Sequence, residues 1–246
     1  MPRSARFLLV ACALLGSTTA TPAVEPPKAE VPKPLPKELV AVWEKAGVEV
    51  GWCEFDDYGN LAFRAATVAP KAGWLPEFRA KAWKDGMLKG LPHPDAPFVF
   101  DLRGCAVTDD GAKELCELKQ LVVLDLGVSK VTDDGLKHLA DLKALARLDL
   151  LGTKVTAAGV KHLTGLKHLA RLDLTSTQLK DAGLKDFADF KALTTLSVAD
   201  TAVTDAGLKE LAQLKQLTGL NVFGTKVTAA GVAEFRKALP KCKVFK

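Results

Sequence analysis

A 24-residue period constrains the fold of this chain more than any other feature of its sequence. The unit recurs five times without an insertion from Val107 to Lys226, and a partial sixth unit begins at Val227. A fixed period of this length is typical of a solenoid, because one short unit cannot bury its own apolar face and must stack on its neighbours. We number the units as repeats one to six by their first residues: Val107, Val131, Val155, Leu179, Val203 and Val227.

Each repeat divides into a helix half and a strand half. In the strand half, leucines recur two residues apart, as at Leu148 and Leu150, so both face the same side of a strand. We expect that side to be the core. In the helix half, apolar residues recur three apart and predict one buried helix face. The threonines that precede the helix half are predicted N-caps: Thr132, Thr156, Thr204 and Thr228.

Two smaller columns of the repeat predict contacts around the loops. After each strand, a small residue is expected to bond the loop backbone, which lacks ladder partners: Cys105, Ser129, Thr153, Thr177, Thr201 and Thr225. A glycine recurs inside the first helical turn, as at Gly159, although glycine lowers helix propensity. We therefore expect this glycine to pack closely against the neighbouring coil.

These columns follow L-x-x-L-x-L-x-x-T-x-V-T and then D-A-G-L-K-x-L-x-x-L-K. On this motif, residues 98–246 resemble leucine-rich repeat proteins, in particular bacterial secreted ones with short, helix-containing repeats, related in shape to ribonuclease inhibitor. The resemblance implies an α/β solenoid, a right-handed βα superhelix with parallel strands on the concave face and helices on the convex face. It also implies protein or peptide binding without catalysis. One departure is that Thr, Ser or Cys fills the loop slot that usually holds Asn or Cys.

Composition divides the chain into four predicted segments. Residues 1–20 are basic, then apolar, then small, which predicts a secretory signal peptide, cleaved after Ala20 or Ala23. A rival interpretation takes Leu9 to Cys12 as a lipoprotein box that acylates Cys12 and anchors the protein to a membrane. Residues 21–36 form a proline-rich linker. Residues 37–97 hold every tryptophan and predict a small α+β capping module, or alternatively an aromatic recognition domain, and residues 98–246 are the repeat domain.

The predicted concave face carries the candidate binding residues. An aspartate column runs along the outward side of the strands and ends in Ser197 and Asn221. One interpretation is an acidic, Arg-flanked groove for a basic peptide, a polar glycan or a cation. The other is that Leu-Asp-Leu is the default strand of the unit, with solvated charges. The candidate partner-binding residues are Asp101, Arg103, Asp125, Arg147, Asp149, Leu151, Arg171, Asp173 and Phe223.

The sequence predicts neither a catalytic centre nor a cofactor. It contains no nucleophile motif, no phosphate loop and no carboxylate pair set apart from the column. His138, His162 and Asp186 share a helix column, but residues one repeat apart seldom converge on a metal, so no metal site is predicted. Cys53 and Cys105 are the one pair considered for a disulfide.

The function expected from the sequence is a monomeric, non-enzymatic scaffold that binds a protein or peptide on the concave strand face. The protein is expected to be secreted, periplasmic or in the cell envelope. Because charges of both signs are interspersed, neither nucleic acid nor an anionic membrane surface is predicted as a partner, and membrane attachment is expected only through Cys12. The alternatives are an envelope structural component, enzymatic action by the N-terminal module, or, by repeat analogy, a ubiquitin-ligase-type substrate receptor.

Overall fold

The computed structural model describes residues 31–55 and 61–246. The predicted signal peptide, Cys12 and most of the linker lie outside these residues. Among the described residues, no helix has both the length and the apolar character needed to cross a bilayer. Ten strands of this part of the chain form one sheet, whose spatial order is β10-β9-β8-β7-β6-β5-β4-β3-β1-β2.

The strands and helices alternate along the repeats. The strands are β1 Val48–Phe55, β2 Leu61–Ala65, β3 Leu75–Ala80, β4 Phe98–Asp101, β5 Leu121–Asp125, β6 Arg147–Asp149, β7 Arg171–Asp173, β8 Thr195–Ser197, β9 Gly219–Asn221 and β10 Lys243–Phe245. The α-helices are α1 Lys37–Lys45, α2 Asp109–Leu115, α3 Asp133–Leu139, α4 Ala157–Val160, α5 Asp205–Leu211 and α6 Ala229–Ala238. Two 3-10 helices span Lys161–Gly165 and Leu184–Asp189.

Neighbouring strands from β3 to β10 pair in parallel, and the leucine columns stay in register. Leu148, for example, lies between Leu124 and Leu172 on the adjacent strands. All three are buried in one continuous core together with the apolar helix faces. The predicted α/β solenoid is therefore confirmed. We call the other side of the sheet, which was predicted to be concave, the strand face.

The predicted N-caps are confirmed, and the predicted helix of repeat four is present as a 3-10 helix. The hydroxyls of Thr132, Thr156, Thr204 and Thr228 each accept a hydrogen bond from a backbone N–H of the first turn. In repeat four, Lys180 stands at the threonine position and offers no side-chain acceptor. Gly183 there has a φ of 87°, and only a 3-10 helix forms. The helix of repeat three is also short, because α4 continues as a 3-10 helix.

Aspartates at the start of the helix half join four of the repeats to the next one. Asp133, for example, accepts hydrogen bonds from the Thr156 backbone N–H at 2.7 Å and from its hydroxyl at 2.6 Å. We call this pair of bonds the Asp–Thr clasp. It recurs at four junctions: Asp109–Thr132, Asp133–Thr156, Asp181–Thr204 and Asp205–Thr228. Between repeats three and four it is missing, because Ala157 and Lys180 occupy the two positions.

The close packing expected of the first-turn glycine is confirmed by the same clasp. A Cβ atom added at Gly159 would lie 2.2 Å from the Asp133 Oδ1 and 2.7 Å from the Asp133 Cα. The loop slot also behaves largely as expected. The hydroxyls of Thr153, Thr177, Thr201 and Thr225 donate to the carbonyl oxygen three residues earlier, whereas the Ser129 hydroxyl accepts from the Val131 N–H.

The N-terminal module closes one end of the core. Helix α1 packs Trp43 against Phe78 and Phe100, with ring centroids 4.7 and 5.6 Å apart. Strands β1 and β2 are antiparallel, but β3 pairs in parallel with β4, so the repeat ladder extends into the segment assigned to the capping module. Asp85 accepts a hydrogen bond from the Thr108 hydroxyl at 3.2 Å, 23 residues away, as the clasp aspartates do.

Candidate partner-binding surface

Strand pairing brings the aspartate column together on the strand face. Asp101, Asp125, Asp149 and Asp173 are direct neighbours on β4, β5, β6 and β7, and we call these four residues the strand-face row. Arg147 and Arg171 are paired in the adjacent column. Each member of the row has carboxylate neighbours on the adjacent strands, about 4.8 Å away by the usual spacing of parallel strands.

The row has a local structural role that the sequence analysis missed. Each carboxylate accepts a hydrogen bond from the backbone N–H two residues later, at 2.8 to 3.1 Å. Asn221 does the same with Phe223 at 3.1 Å. These bonds satisfy backbone donors where the strands end. The interpretation of solvated charges is wrong for Asp125 and Asp149, whose exposed fractions are 7% and 6%.

Arg103 neutralises the buried part of the row. Its guanidinium lies 2.8 Å from the Asp125 carboxylate and 3.2 Å from that of Asp149. Burial and the charge of Asp125 raise the pKa of Asp149 to about 6, against the opposing effects of the Leu151 N–H and Arg103. The hydrogen bond to Asp125 raises the pKa of Arg103. Asp101 is similarly paired with Arg79, at 3.0 Å. This end of the strand face is therefore not an open acidic groove.

The N-terminal module also covers the beginning of the strand face. Val99 and Val123 lie in the outward column but are 0% and 5% exposed. Together with Cys53 they form a second apolar cluster, against which Phe55 and Leu61 of the β1–β2 pair are packed. Burial raises the pKa of Glu77 on the neighbouring β3 and, with the adjacent Glu77, that of Cys53. The accessible surface therefore starts further along the sheet.

The open strand face consists of the outward residues of β6 to β10 and their following loops. Arg147, Arg171, Asp173 and Leu151 are half-buried here, and small polar side chains such as Thr195 line the centre. Phe223 is well exposed, at 63%. Phe245 is 59% exposed and pairs with Asn221 on the adjacent β9. The sequence analysis missed it because repeat six has no complete strand half to align with the other repeats. The surface is thus polar at one end and aromatic at the other.

Comparisons with known proteins agree with this architecture. A family model described as "Leucine Rich repeat" matches residues 99–116, 165–188 and 192–212. The chain is a leucine-rich repeat protein. The comparison with curated proteins gave no match.

Solved structures similar to this leucine-rich repeat protein include an internalin C2 from Listeria monocytogenes, with 23% identity and a TM-score of 0.50 over 65% of this chain and 66% of the other. An internalin F from the same species has 19% identity and a TM-score of 0.40 over 55% of this chain and 43% of the other. A leucine-rich repeat protein from Leptospira interrogans has 19% identity and a TM-score of 0.40 over 68% and 52%. The chain thus spans two thirds or less of each relative, and at these identities the likeness concerns the fold.

The leucine-rich repeats hold no constellation suited to a metal in the part of the chain that the structure describes. On the helix column, Asp186 forms an ion pair with Lys161 at 3.1 Å instead of joining His138 and His162 around a metal. Cys53 and Cys105 are both free thiols, so the disulfide considered between them is not formed. The Cys105 thiol instead donates to the Ala80 carbonyl at 3.2 Å, which ties the first loop to β3.

Proposed function

We propose that this leucine-rich repeat protein is a non-enzymatic scaffold that binds a protein or peptide partner on its open strand face. The fold class is typical of protein-binding modules, and the sequence contains no motif for catalysis. The observation that carries the proposal is the surface from β6 to β10, where Phe223 stands exposed beside a small polar floor. Exposed aromatic side chains next to polar ones are the usual anchors of protein interfaces.

The revised surface differs from the acidic groove considered from the sequence. Asp125 and Asp149 are engaged with Arg103 and with backbone donors, so they hold the surface in shape. Partner contacts are assigned to Leu151, Arg171, Asp173 and Phe223, which are half-buried or exposed. Secretion or envelope location, proposed from residues 1–20, would place the partner outside the cytoplasm.

Affinity capture with matched variants tests the proposal. The immobilised protein is incubated with envelope and medium fractions of the producing cells, and the captured proteins are compared between variants. Thr195→Arg places a bulky charge in the centre of the open strand face, while Thr164→Arg makes the same change on the helix side. Phe223→Ser removes the exposed aromatic ring, and Val68→Ser removes an exposed apolar side chain from the N-terminal module.

The expected result is at least a roughly tenfold loss of one captured protein with Thr195→Arg and with Phe223→Ser, as for an interface hot spot. Thr164→Arg and Val68→Ser should capture the same amount as the unchanged protein. Equal losses with the control variants, or none with either strand-face variant while all variants remain folded, would contradict the assignment to this face.

A further inference from the structure

The net charge of the protein is concentrated at the end of the solenoid. Residues 211–246 hold seven of the 34 basic residues but only one of the 29 acidic ones. This segment therefore carries a formal charge of +6, whereas the remaining 210 residues sum to −1. The interspersion of charges, which argued against a basic block, holds for the earlier repeats and stops at residue 210.

The fold gathers these charges around the last coil. Arg236 and Lys237 lie in the last turn of α6, Lys241 lies in the following turn, and Lys243 lies on β10. We define the basic end as Arg236, Lys237, Lys241, Lys243, Phe245 and Lys246, all of which are exposed. β10 is the edge strand of the described sheet, so no further strand screens these side chains.

The nearby acids leave most of this charge uncompensated. Glu234 pairs with Lys237 at 2.6 Å, but both side chains are 71% exposed. Both carboxylate oxygens of Asp205 are occupied by the Thr228 N–H and hydroxyl, at 2.7 Å each. The described residues show no ion pair between a carboxylate and Lys241, Lys243 or Lys246.

An exposed aromatic side chain stands among the basic residues. Phe245 is 59% exposed and occupies the same face of β10 as Lys243, because side chains two residues apart in a strand share a face. Val244 between them packs against the core. A ring flanked by lysines presents both an apolar group and positive charge to whatever covers this end.

The chemistry of the basic end favours an extended anionic plane over a specific protein surface. All but one of its charged residues are lysines, which are compact, strongly hydrated charges on flexible stems and lack the bidentate geometry of arginine. Protein interfaces are depleted in lysine. Lysines spread around an exposed aromatic ring suit the surface of an anionic bilayer, where the charges meet headgroups and the ring enters the interface.

We propose that the basic end binds the surface of an anionic phospholipid bilayer. The basic end shares only Lys243 and Phe245 of β10 with the open strand face, since its other residues lie on α6 and the chain around β10, and binding there does not require acylation of Cys12. Docking through the last coil leaves the strands of the earlier repeats free of the bilayer, so a partner and a membrane can be engaged together.

Vesicle co-sedimentation of the full chain tests this proposal. Phosphatidylcholine vesicles are compared with vesicles that mix phosphatidylcholine and phosphatidylglycerol, at low and high salt. The expected result is binding to the anionic vesicles only, weakened by salt. Lys241→Gln/Lys243→Gln should reduce this binding by roughly twenty-five-fold, because each basic residue near an anionic surface contributes about a factor of five.

Matched variants separate the basic end from general electrostatics. Lys113→Gln/Lys185→Gln removes the same charge from the helix side of repeats one and four and should leave binding unchanged. Phe245→Ser should lower the binding that persists at high salt. Absence of binding to anionic vesicles, equal binding to both vesicle types, or equal losses with the two lysine pairs would overturn the proposal. None of these results depends on whether a strand-face partner is found.

Discussion

Two rows of aspartates repeat along this solenoid, the clasp aspartates and the strand-face row. The carboxylate has a different structural role in each row. On the helix side, a clasp aspartate such as Asp133 accepts two hydrogen bonds from the next repeat. On the strand face, Asp149 accepts its backbone hydrogen bond from within its own repeat and relies on Arg103 to offset its charge. The clasp aspartates therefore couple neighbouring repeats, whereas the strand-face row satisfies backbone donors where the strands end.

The comparison also explains where each row stops. The clasp needs a partner in the following repeat, and it is absent where Ala157 meets Lys180. The strand-face row needs only a side-chain acceptor, so it continues past Asp173 with Asn221 in the same role. Repetition of a residue at a fixed interval thus does not by itself imply repetition of one function. Four experiments test whether the two rows differ in this way.

The clasp should make the first-turn glycine intolerant of any side chain. In Gly159→Ala the new methyl group would lie 2.2 Å from the Asp133 Oδ1, so the contact must be relieved by moving the backbone or breaking the clasp. We expect a loss of about 3 kcal/mol in the free energy of unfolding, at the upper range for overpacking. Urea denaturation measures it. Gly165→Ala in the same repeat meets no atom within 4 Å and is the control.

Removing a clasp aspartate should cost more than removing its neighbour. Asp133→Ala leaves the Thr156 N–H and hydroxyl without their acceptor, and we expect a loss of about 2 kcal/mol from charge-assisted hydrogen bonds. Asp134→Ala removes only an exposed pair with Lys137, which solvent screens, and should leave the stability nearly unchanged. Thermal unfolding compares the two variants. Equal losses would show that the aspartates act through the helix dipole alone.

Asp149 of the strand-face row and the clasp aspartate Asp205 should respond oppositely to acid. The pKa of Asp149 is raised to about 6 in the folded protein, above its unfolded value, so the folded state binds more protons. Its contribution to stability therefore increases as the pH falls through 6. The hydrogen bonds from Thr228 lower the pKa of Asp205, so the stability from that clasp is lost as the pH falls through its folded pKa.

Asp149→Asn tests the strand-face half of this contrast. The amide oxygen can still accept a hydrogen bond from the Leu151 N–H, but the side chain at position 149 no longer titrates. Relative to the unchanged protein, the variant should lose a stability increment of about 1–2 kcal/mol between pH 7 and pH 4. Urea unfolding across this range provides the measurement. If the free energy of unfolding depends on pH in the same way in the two proteins, Asp149 is not the source of this pH dependence.

Installing the missing clasp should give the smallest change. Ala157→Asp/Lys180→Thr supplies both partners, and we expect a gain of about 1 kcal/mol, together with slower amide exchange in repeat four. Each single substitution should have little effect, because either partner alone has nothing to bond. A double variant no more stable than the sum of the single ones would mean that repeat four cannot adopt the clasped geometry.

Much of the fold was predictable because its signals are periodic. The leucine columns, the N-cap threonines and the loop hydroxyls each follow from one position within the unit. The clasp was not predicted, since Asp133 and Thr156 each had a sufficient local explanation as first-turn acid and N-cap. Its signal was present, however, because the one repeat before the last that lacks the aspartate, at Ala157, is followed by the one repeat that lacks the threonine, at Lys180.

The binding surface was less predictable, because it depends on what lies over it. Strand alternation places Asp149 and Val123 on the outward side but cannot show that Arg103 or the β1–β2 pair covers them. Valines in an outward column were the available hint that Val99 and Val123 are covered. Phe245 lay beyond the last complete unit, so no column alignment could assign its side.

The junction between repeats three and four, which lacks an Asp–Thr clasp, affects the order in which the molecule unfolds. In a solenoid, cooperativity passes only between nearest neighbours, so one weak interface divides the chain into separately melting blocks. Across this junction the helix side has an ion pair between the exposed Lys161 and the half-buried Asp186 in place of a clasp, although the sheet is continuous. We expect repeats four to six to exchange their amides as one block, ahead of repeats one to three. Limited proteolysis would then cut first near residue 180, releasing the block that carries Phe223.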